Sequence, residues 1–349
     1  MPTSVFLDGK FFTLDAATPE SRRAALSPFD AGFQHGVGLF ETMLGGVSEN
    51  GDGAVWCMRI DEHLARLAAS AKELGLSETL RAGALADAIA ETVRQSGLAR
   101  ARIRLTVSGG DLNLLTRASA GGGAKVEHDP TILIVAQQAV DYPAGMFERG
   151  VAVSIADARA NPFSPMEGHK TLNYWWRLRE LQAASAKNAA EALVLSVSNH
   201  LVGGCVSNVL LVSGDEILTP IARGEEGGGR APGEQHAGAD DPDAPPVPVP
   251  TVKGGYLPSP VLPGVVRAWA LDWAADQGMA VKRQMLSVAD VLEADEVLLT
   301  NSSWGVLPVV RIEGSAVGAG DEGAVGPIGR KLAAAWRGLV EEYAGGGAR

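Results

Sequence analysis

The sequence predicts an α+β protein of two domains, and three observations support this. Apolar residues recur with period two in some stretches and with helical spacing in others, so strands and helices are interspersed along the chain. At 349 residues the chain exceeds one ordinary core, since domains run to roughly 100 to 200 residues. The stretch AVDYPAGMFERG, with Pro143, Gly145 and Gly150, lies between strand patterns and reads as a linker. That reading divides the chain into an N-terminal domain at 1–138, a linker at 139–150 and a C-terminal domain at 151–349.

VFLDGKFF sets an Asp8-Gly9 turn between two apolar runs, the strongest short signal of a β-hairpin. From Asp61, DEHLARLAASAKELGL places Leu64, Leu67, Ala68, Ala71 and Leu74 on one helical face, with Asp61 as N-cap and Gly75 as stop. ARIRLTV alternates Ile103, Leu105 and Val107 with Arg102, Arg104 and Thr106, the pattern of a half-buried strand, and TILIVAQ follows as a continuous apolar strand. Beyond the linker, VAVSIA, EALVLSVS, NVLLV and EILTP read as strands, and the run after Lys170 reads as a helix. Composition then breaks. Of the 34 residues from Ala222 to Gly255, 14 are Gly or Pro and few are large and apolar, so burial cannot offset the entropy of ordering; the stretch reads as a disordered surface loop. LPGVVRAWALDWAADQGM follows as a helix entered through Pro263 and Gly264, then DEVLLTNSSWGVLPVVRIEG as two strands around a polar turn, then a closing helix to about Tyr343.

Composition narrows the function. With 30 basic and 41 acidic residues the net charge is −11, which argues against a nucleic-acid groove or an anionic membrane surface and for a small-molecule substrate. Cys57 and Cys205 are too few for a disulfide framework or a zinc set, so no metal is expected and a reducing cytoplasm fits. The start, MPTSVFLDGKFF, has no basic region followed by an apolar one, and no apolar run reaches the roughly 18 residues of a membrane span.

Four features carry chemistry. Lys170, in MEGHKTLNYWWRLRELQ, precedes an apolar aromatic run: it is either a solvated lysine at a helix start or a Schiff-base lysine, whose amine must be desolvated to be nucleophilic at neutral pH. LPGVVR offers backbone N–H groups at a helix start, where a phosphate is favoured. LTNSSWGV ends a strand with Asn301, Ser302 and Ser303, suited to phosphate oxygens or to a plain polar turn. HLAR puts His63 and Arg66 on one helical face, and arginine is shaped for a bidentate phosphate contact.

In order and wording, six segments along nearly the whole chain resemble the fold-type IV pyridoxal-phosphate enzymes, the class IV aminotransferases, which include branched-chain and D-amino-acid aminotransferases and 4-amino-4-deoxychorismate lyase. They are SPFDAGFQHGVGLFETM, DEHLARL, GHKTLNY, GGCVSNVLLV, LPGVVR and LTNSSWGVLPV. The resemblance implies a smaller N-terminal α/β domain, a larger barrel-like C-terminal α/β domain, pyridoxal 5'-phosphate as cofactor and a homodimer. It implies that Lys170 forms the Schiff base and then moves the Cα proton. It implies that Arg66, Ser302 and the backbone of Val265 and Val266 hold the phosphate, and that Tyr174 bonds the cofactor's phenolic oxygen. The Ser207-Asn208 pair would lie beside the pyridine ring, and His35, Phe40 and Arg104 near the substrate.

One position departs from the pattern. The family has a glutamate four residues before the serine of that pair, and Gly203 stands there. The glutamate keeps the pyridine nitrogen protonated, which makes the ring an electron sink. Asn199, His200, Cys205 or a water are the candidates to replace it. A weaker sink is expected to harm transamination more than a β-elimination whose product becomes aromatic, so the departure leans toward the lyase branch. Two other readings stand beside it: a degenerate cofactor-binding protein with lost catalysis, and a nucleotide-binding α/β protein, against which no strand leads into G-x-G-x-x-G or G-x-x-x-x-G-K-[ST].

Overall fold

The computed structural model describes residues 3–14, 24–50, 53–111, 130–226, 257–318 and 323–346. In the first unit, strands β1 (Thr3–Leu7) and β2 (Lys10–Leu14) form the expected hairpin. Its turn residues, Asp8 and Gly9, both have positive φ, as a tight two-residue turn requires. With β3 (Gly38–Val47), β4 (Val55–Cys57), β5 (Ala101–Ser108) and β6 (Ile132–Gln138) they make a six-stranded antiparallel sheet in the order β2-β1-β6-β5-β3-β4. Helices α2 (Ile60–Glu73) and α3 (Ala82–Ser96) cover one face, where Leu64, Leu67, Ile89 and Val93 meet Met43, Ile103 and Leu105. The alternation of β5 does what its sequence dictates: Ile103, Leu105 and Val107 are buried beneath the helices, and Arg102 and Arg104 emerge half-buried on the opposite face.

The second unit is a nine-stranded sheet, the barrel-like larger body that the resemblance implies. It is built from β7 (Val151–Ala160), β8 (Glu191–Ser196), β9 (Leu201–Gly204), β10 (Asn208–Ser213), β11 (Glu216–Pro220), β12 (Ala280–Gln284), β13 (Glu296–Asn301), β14 (Gly305–Ile312) and β15 (Ser315–Ala316). Eight strands run in the order β12-β11-β10-β13-β14-β7-β8-β9, with β15 paired to β14. Both faces are covered, which explains why Val209 to Val212 and Val297 to Leu299 are continuously apolar. Leu210 and Leu298 pack on helices α6 (Val265–Asp276) and α8 (Pro327–Ala344), against Val266, Leu271, Leu332 and Trp336. Val209, Leu211, Val297 and Leu299 face the other way, into a cluster with Leu307 and Val309. Helix α5 (Trp175–Ala186) packs on β7 and β8 through Ala184.

Several local expectations are corrected. The N-cap of α2 is Arg59, at φ 50°, and not Asp61; Asp61 and Glu62 occupy the first turn, where their charge complements the helix dipole. The linker stretch contains a short helix, α4 (Ala144–Glu148). Helix α3, strand β12, a short α7 (Val288–Glu293) and α1 (Ala31–His35) lie outside the expected elements, although α3 carries a helical spacing in its buried Leu85, Ile89 and Val93. Residues 222–226 are not loose: Ala222 is fully buried, Arg223 pairs with Glu73, and Glu225 pairs with Arg267. The remainder of that glycine- and proline-rich stretch, 227–255, lies outside the described residues. No helix among the described residues is long and apolar enough to cross a membrane, and no described group of His, Cys, Asp and Glu could hold a metal ion.

Candidate active site

Lys170 is positioned by backbone pairing before any side chain acts. Gly168, at φ 79°, turns the chain where a Cβ would lie 2.6 Å from the Ser259 carbonyl oxygen. The chain then runs extended along the start of β3: Phe40 donates its amide to the Lys170 carbonyl at 2.9 Å, and Leu172 donates to that of Gly38 at 2.9 Å. His169 is anchored on α2, its Nδ1 lying 2.9 Å from the Ser70 hydroxyl. The Lys170 amine therefore projects over the Phe40 ring, 4.4 Å from its centroid and 5.6 Å from that of Tyr174. Those rings meet edge to face at 5.2 Å. Burial pushes the ammonium down; Glu41 works against this, while Arg66, Arg104 and Arg177 reinforce it, and the result is about 7. A large fraction of this amine is neutral near physiological pH.

The amine opens into a chamber of about 410 Å³ between the two sheets. One end of the chamber is built for an anion. Helix α6 starts there with no side-chain cap, and the amides of Val265 and Val266 have no partner among the described residues. Gly264 permits this geometry by close approach: a Cβ would fall 1.8 Å from the Asn208 Oδ1, and the Asn208 amide nitrogen donates to the Leu262 carbonyl at 2.8 Å to hold the turn. Arg66 enters from α2, held by Glu41 through Nε at 2.9 Å and Nη2 at 2.5 Å and by the Pro263 carbonyl at 2.9 Å. Glu41 also takes the His63 Nδ1 at 2.7 Å, and His63 Nε2 lies 3.3 Å from the Ser302 hydroxyl. Burial works to raise the Glu41 carboxyl, but Arg66 and His63 hold it down at about 2. The Thr300 hydroxyl on the same wall is buried without a partner among the described residues.

At the Gly203 end the described residues offer no free carboxylate. Glu191, on β8, is buried below this turn, and its oxygens accept the amides of Ala192, Cys205 and Val206 and the Ser207 hydroxyl at 3.0–3.1 Å. All its acceptor positions are used. Burial and Glu191 push the Cys205 thiol up to about 12, so it holds its proton. Asn199 and His200 belong to the β8–β9 turn and do not line the chamber. The nearest charged side chain on this wall is Arg177, which pairs with Glu167 at 2.7 Å and reaches the Gly204 carbonyl at 3.4 Å.

Thus Arg66, Lys170, Tyr174, Ser207, Asn208, Val265, Val266 and Ser302 all border one chamber, and so do Phe40 and Arg104. His35 does not: it is exposed in the last turn of α1. Sequence reasoning passed over Glu41, Arg177, Glu191 and Arg102. Glu41 had a legible signal, since a carboxylate inside the apolar strand GLFETMLGG must find a buried cation. A larger cavity, about 780 Å³, lies behind Arg66 between α2 and α6; it has no lysine, and Arg59, Arg223 and Arg267 on its wall are each paired with a carboxylate.

The profile of the family described as "Amino-transferase class IV" matches residues 38–227 and 251–312. A Methanocaldococcus jannaschii protein provisionally named branched-chain-amino-acid aminotransferase is 26% identical over 331 residues, 94% of this chain and 93% of that one. The aminodeoxychorismate lyase of Bacillus subtilis is 23% identical over 311 residues, 88% of this chain and 86% of its own. The crystal structure of the Escherichia coli branched-chain amino acid aminotransferase superposes with a TM-score of 0.74 at 21% identity, over 97% of this chain and 95% of that one.

Proposed function

We propose that this chain, which belongs to the amino-transferase class IV family, acts with pyridoxal 5'-phosphate on a small amino acid or amino-carboxylate, Lys170 being the amine that carries the cofactor. The observation that carries the proposal is the pairing, in one chamber, of a lysine whose amine titrates at about 7 with an anion-binding end made of Arg66, Ser302 and the first amides of α6. The residues fit the group. Unpartnered Val265 and Val266 amides, the orphaned Thr300 hydroxyl and the Gly264 cradle suit a phosphate, and Tyr174 presents a phenol to a ring oxygen. When bound, the cofactor supplies a carbonyl for exchange with the substrate amine and a conjugated ring that accepts electrons from Cα.

The chain's residues do the rest. Lys170, released by that exchange, takes the Cα proton, because its amine is neutral and desolvated beside Phe40. Glu41 fixes Arg66, and the aromatic pair Phe40–Tyr174 excludes water from one side of the amine. The Gly203 wall favours elimination over amino transfer: with Glu191 saturated and no described carboxylate lining the chamber, nothing there holds a proton on the pyridine nitrogen. A degenerate, inactive role fits less well, since a lost site has no reason to keep a depressed lysine. We place the enzyme in the cytoplasm as a homodimer; Trp175 at 85% exposure and Phe33 at 75%, beside the lysine segment, are surface that a second copy would bury.

The test is the visible spectrum of the purified protein, then borohydride reduction and peptide mapping. A pyridoxyl group on Lys170 is expected; finding it on Lys187 would overturn the assignment. A panel of amino acids and aminodeoxychorismate then sorts lyase from transaminase.

A further inference from the structure

The cofactor carries its phenolic oxygen, aldehyde and phosphate arm on three neighbouring ring carbons, and its nitrogen lies across the ring from the aldehyde. With Lys170 at the aldehyde, Tyr174 at the oxygen and the start of α6 at the phosphate, that nitrogen would face the remaining wall, Gly203 to Ser207. The polar side chains there are engaged with one another or with backbone. Glu191 is saturated, and the Ser207 hydroxyl donates to it at 3.0 Å. Asn208 holds the Leu262 carbonyl at 2.8 Å. Asn301 donates to the Val206 carbonyl at 3.2 Å and accepts the amides of Ser303 and Trp304 at 2.9 and 3.0 Å.

Arg177 differs. It follows Tyr174 by three residues at the start of α5, and its guanidinium lies 5.9 Å from the Tyr174 ring centroid. Glu167 holds its Nη2 at 2.7 Å from a position that does not line the chamber, and the Trp176 ring backs it at 4.4 Å. On the chamber side its Nη1 lies 3.4 Å from the Gly204 carbonyl oxygen. A guanidinium has five N–H donors, and the Arg177 Nε has no acceptor among the described residues although the side chain is only 14% exposed. Glu180, further along α5, is turned away to the Asp157 amide at 2.8 Å and does not line the chamber. Arg177 is therefore the one charged group on this wall with a donor to offer.

We propose that Arg177 is the partner of the pyridine nitrogen in this site, donating to its lone pair and keeping it unprotonated. The proposal rests on the cofactor reading above. A guanidinium only donates and does not give up its proton, so it can meet a neutral pyridine and not a pyridinium, which its charge also repels. The site then does more than lack a carboxylate at Gly203: it opposes the proton that a carboxylate would hold. Such a ring withdraws electrons weakly, and the reactions that suit it are those whose electrons leave through the substrate.

The test measures dissociation constants of the cofactor-free protein for pyridoxal phosphate and for its deaza analogue, in which a C–H replaces the ring nitrogen. The parent is expected to prefer pyridoxal phosphate by about tenfold, the scale of one hydrogen bond from a charged donor. Arg177→Met keeps the length of the side chain and should bring the two constants within about twofold by weakening pyridoxal phosphate alone. Arg177→Met with Glu167→Gln repeats the comparison without leaving a lone buried carboxylate. NMR of the parent loaded with cofactor labelled at the ring nitrogen should show an unprotonated nitrogen from about pH 6 to 9. A pyridinium signal overturns the proposal, as does a preference that survives in the variants or a loss that falls on both cofactors alike, the mark of a structural role. Should neither variant fold, the nitrogen signal of the parent decides. A protein whose visible spectrum shows no uptake of pyridoxal phosphate defeats the underlying reading instead.

Discussion

Glu41 and Arg66 form a two-nitrogen contact at 2.9 and 2.5 Å inside the protein, the carboxylate 1% exposed and the guanidinium 10%. Because Glu41 also holds His63, and through it Ser302, one carboxylate orients two groups of the proposed anion site. Glu41→Gln keeps the shape and loses the charge. It should weaken pyridoxal phosphate binding by about 1.5–3 kcal/mol and lower Tm, since Arg66 is left partly uncompensated. Arg66→Ala should weaken binding by about 2–4 kcal/mol, the loss of a charge-assisted contact to a partly buried phosphate. Cofactor titration by fluorescence measures both; an unchanged dissociation constant in either variant would show that the pair serves the fold alone.

The depressed amine of Lys170 predicts a pH dependence with a definite sign. Its folded value of about 7 lies below the ordinary 10.5, so the neutral, reactive form grows as pH rises through 7 and not three units higher. Acylation of the cofactor-free protein by a limiting amine reagent, followed residue by residue by mass spectrometry, should show Lys170 reaching half its maximal rate near pH 7. A midpoint near the ordinary lysine value of 10.5 would mean that the amine is solvated.

Lys170→Ala should abolish covalent cofactor attachment and turnover while the fold survives. The segment is held by backbone pairing to β3 and not by the amine. Circular dichroism and melting should match the parent within a few degrees; collapse of the fold would mean that the lysine has a structural task as well.

Gly264→Ala places a methyl group 1.8 Å from the Asn208 Oδ1, so the turn before α6 or the Asn208 side chain must move. Stability should fall by about 1–3 kcal/mol, and pyridoxal phosphate should bind more weakly because the first amides of α6 are displaced. Backbone strain plays no part, as φ at this residue is −71°. A variant with parent affinity would remove these amides from the anion site.

Gly203→Glu tests whether the missing carboxylate selects the reaction. A Cβ there would lie 2.8 Å from the Ser207 carbonyl oxygen, so the variant should first lose about 1–3 kcal/mol of stability. In the folded, loaded fraction, amino transfer with ordinary amino acids should rise and elimination should change little. Folded and loaded enzyme that transaminates no faster would dismiss the electron-sink argument.

The elements with strong periodicity were legible: the Asp-Gly hairpin, the leucine face of α2, the alternation of β5 and the apolar runs of β10 and β13 all lie where local pattern puts them. Lys170, Arg66, the α6 start and Ser302 were legible as separate motifs, because each needs only a residue type in a local setting. Less legible were β3, whose glycines mask its alternation, and residues 222–226, where composition suggested disorder but the Arg223–Glu73 and Glu225–Arg267 pairs supply order from distant elements.

The sequence by itself determined most element types and the family, and singled out Lys170 as the candidate reactive lysine, since those depend on spacing along one strand or helix and on side-chain chemistry. Only the tertiary structure decided that Glu41 orients Arg66 across 25 positions of sequence, that Glu191 is saturated and so cannot stand in for the carboxylate absent at Gly203, and that Arg102 and Arg104 share a chamber with Lys170 and have no described acid to meet them. These are matters of which charges lie within a few ångströms of one another in a low-dielectric interior. That distance is set by packing two sheets together, and no local pattern records it.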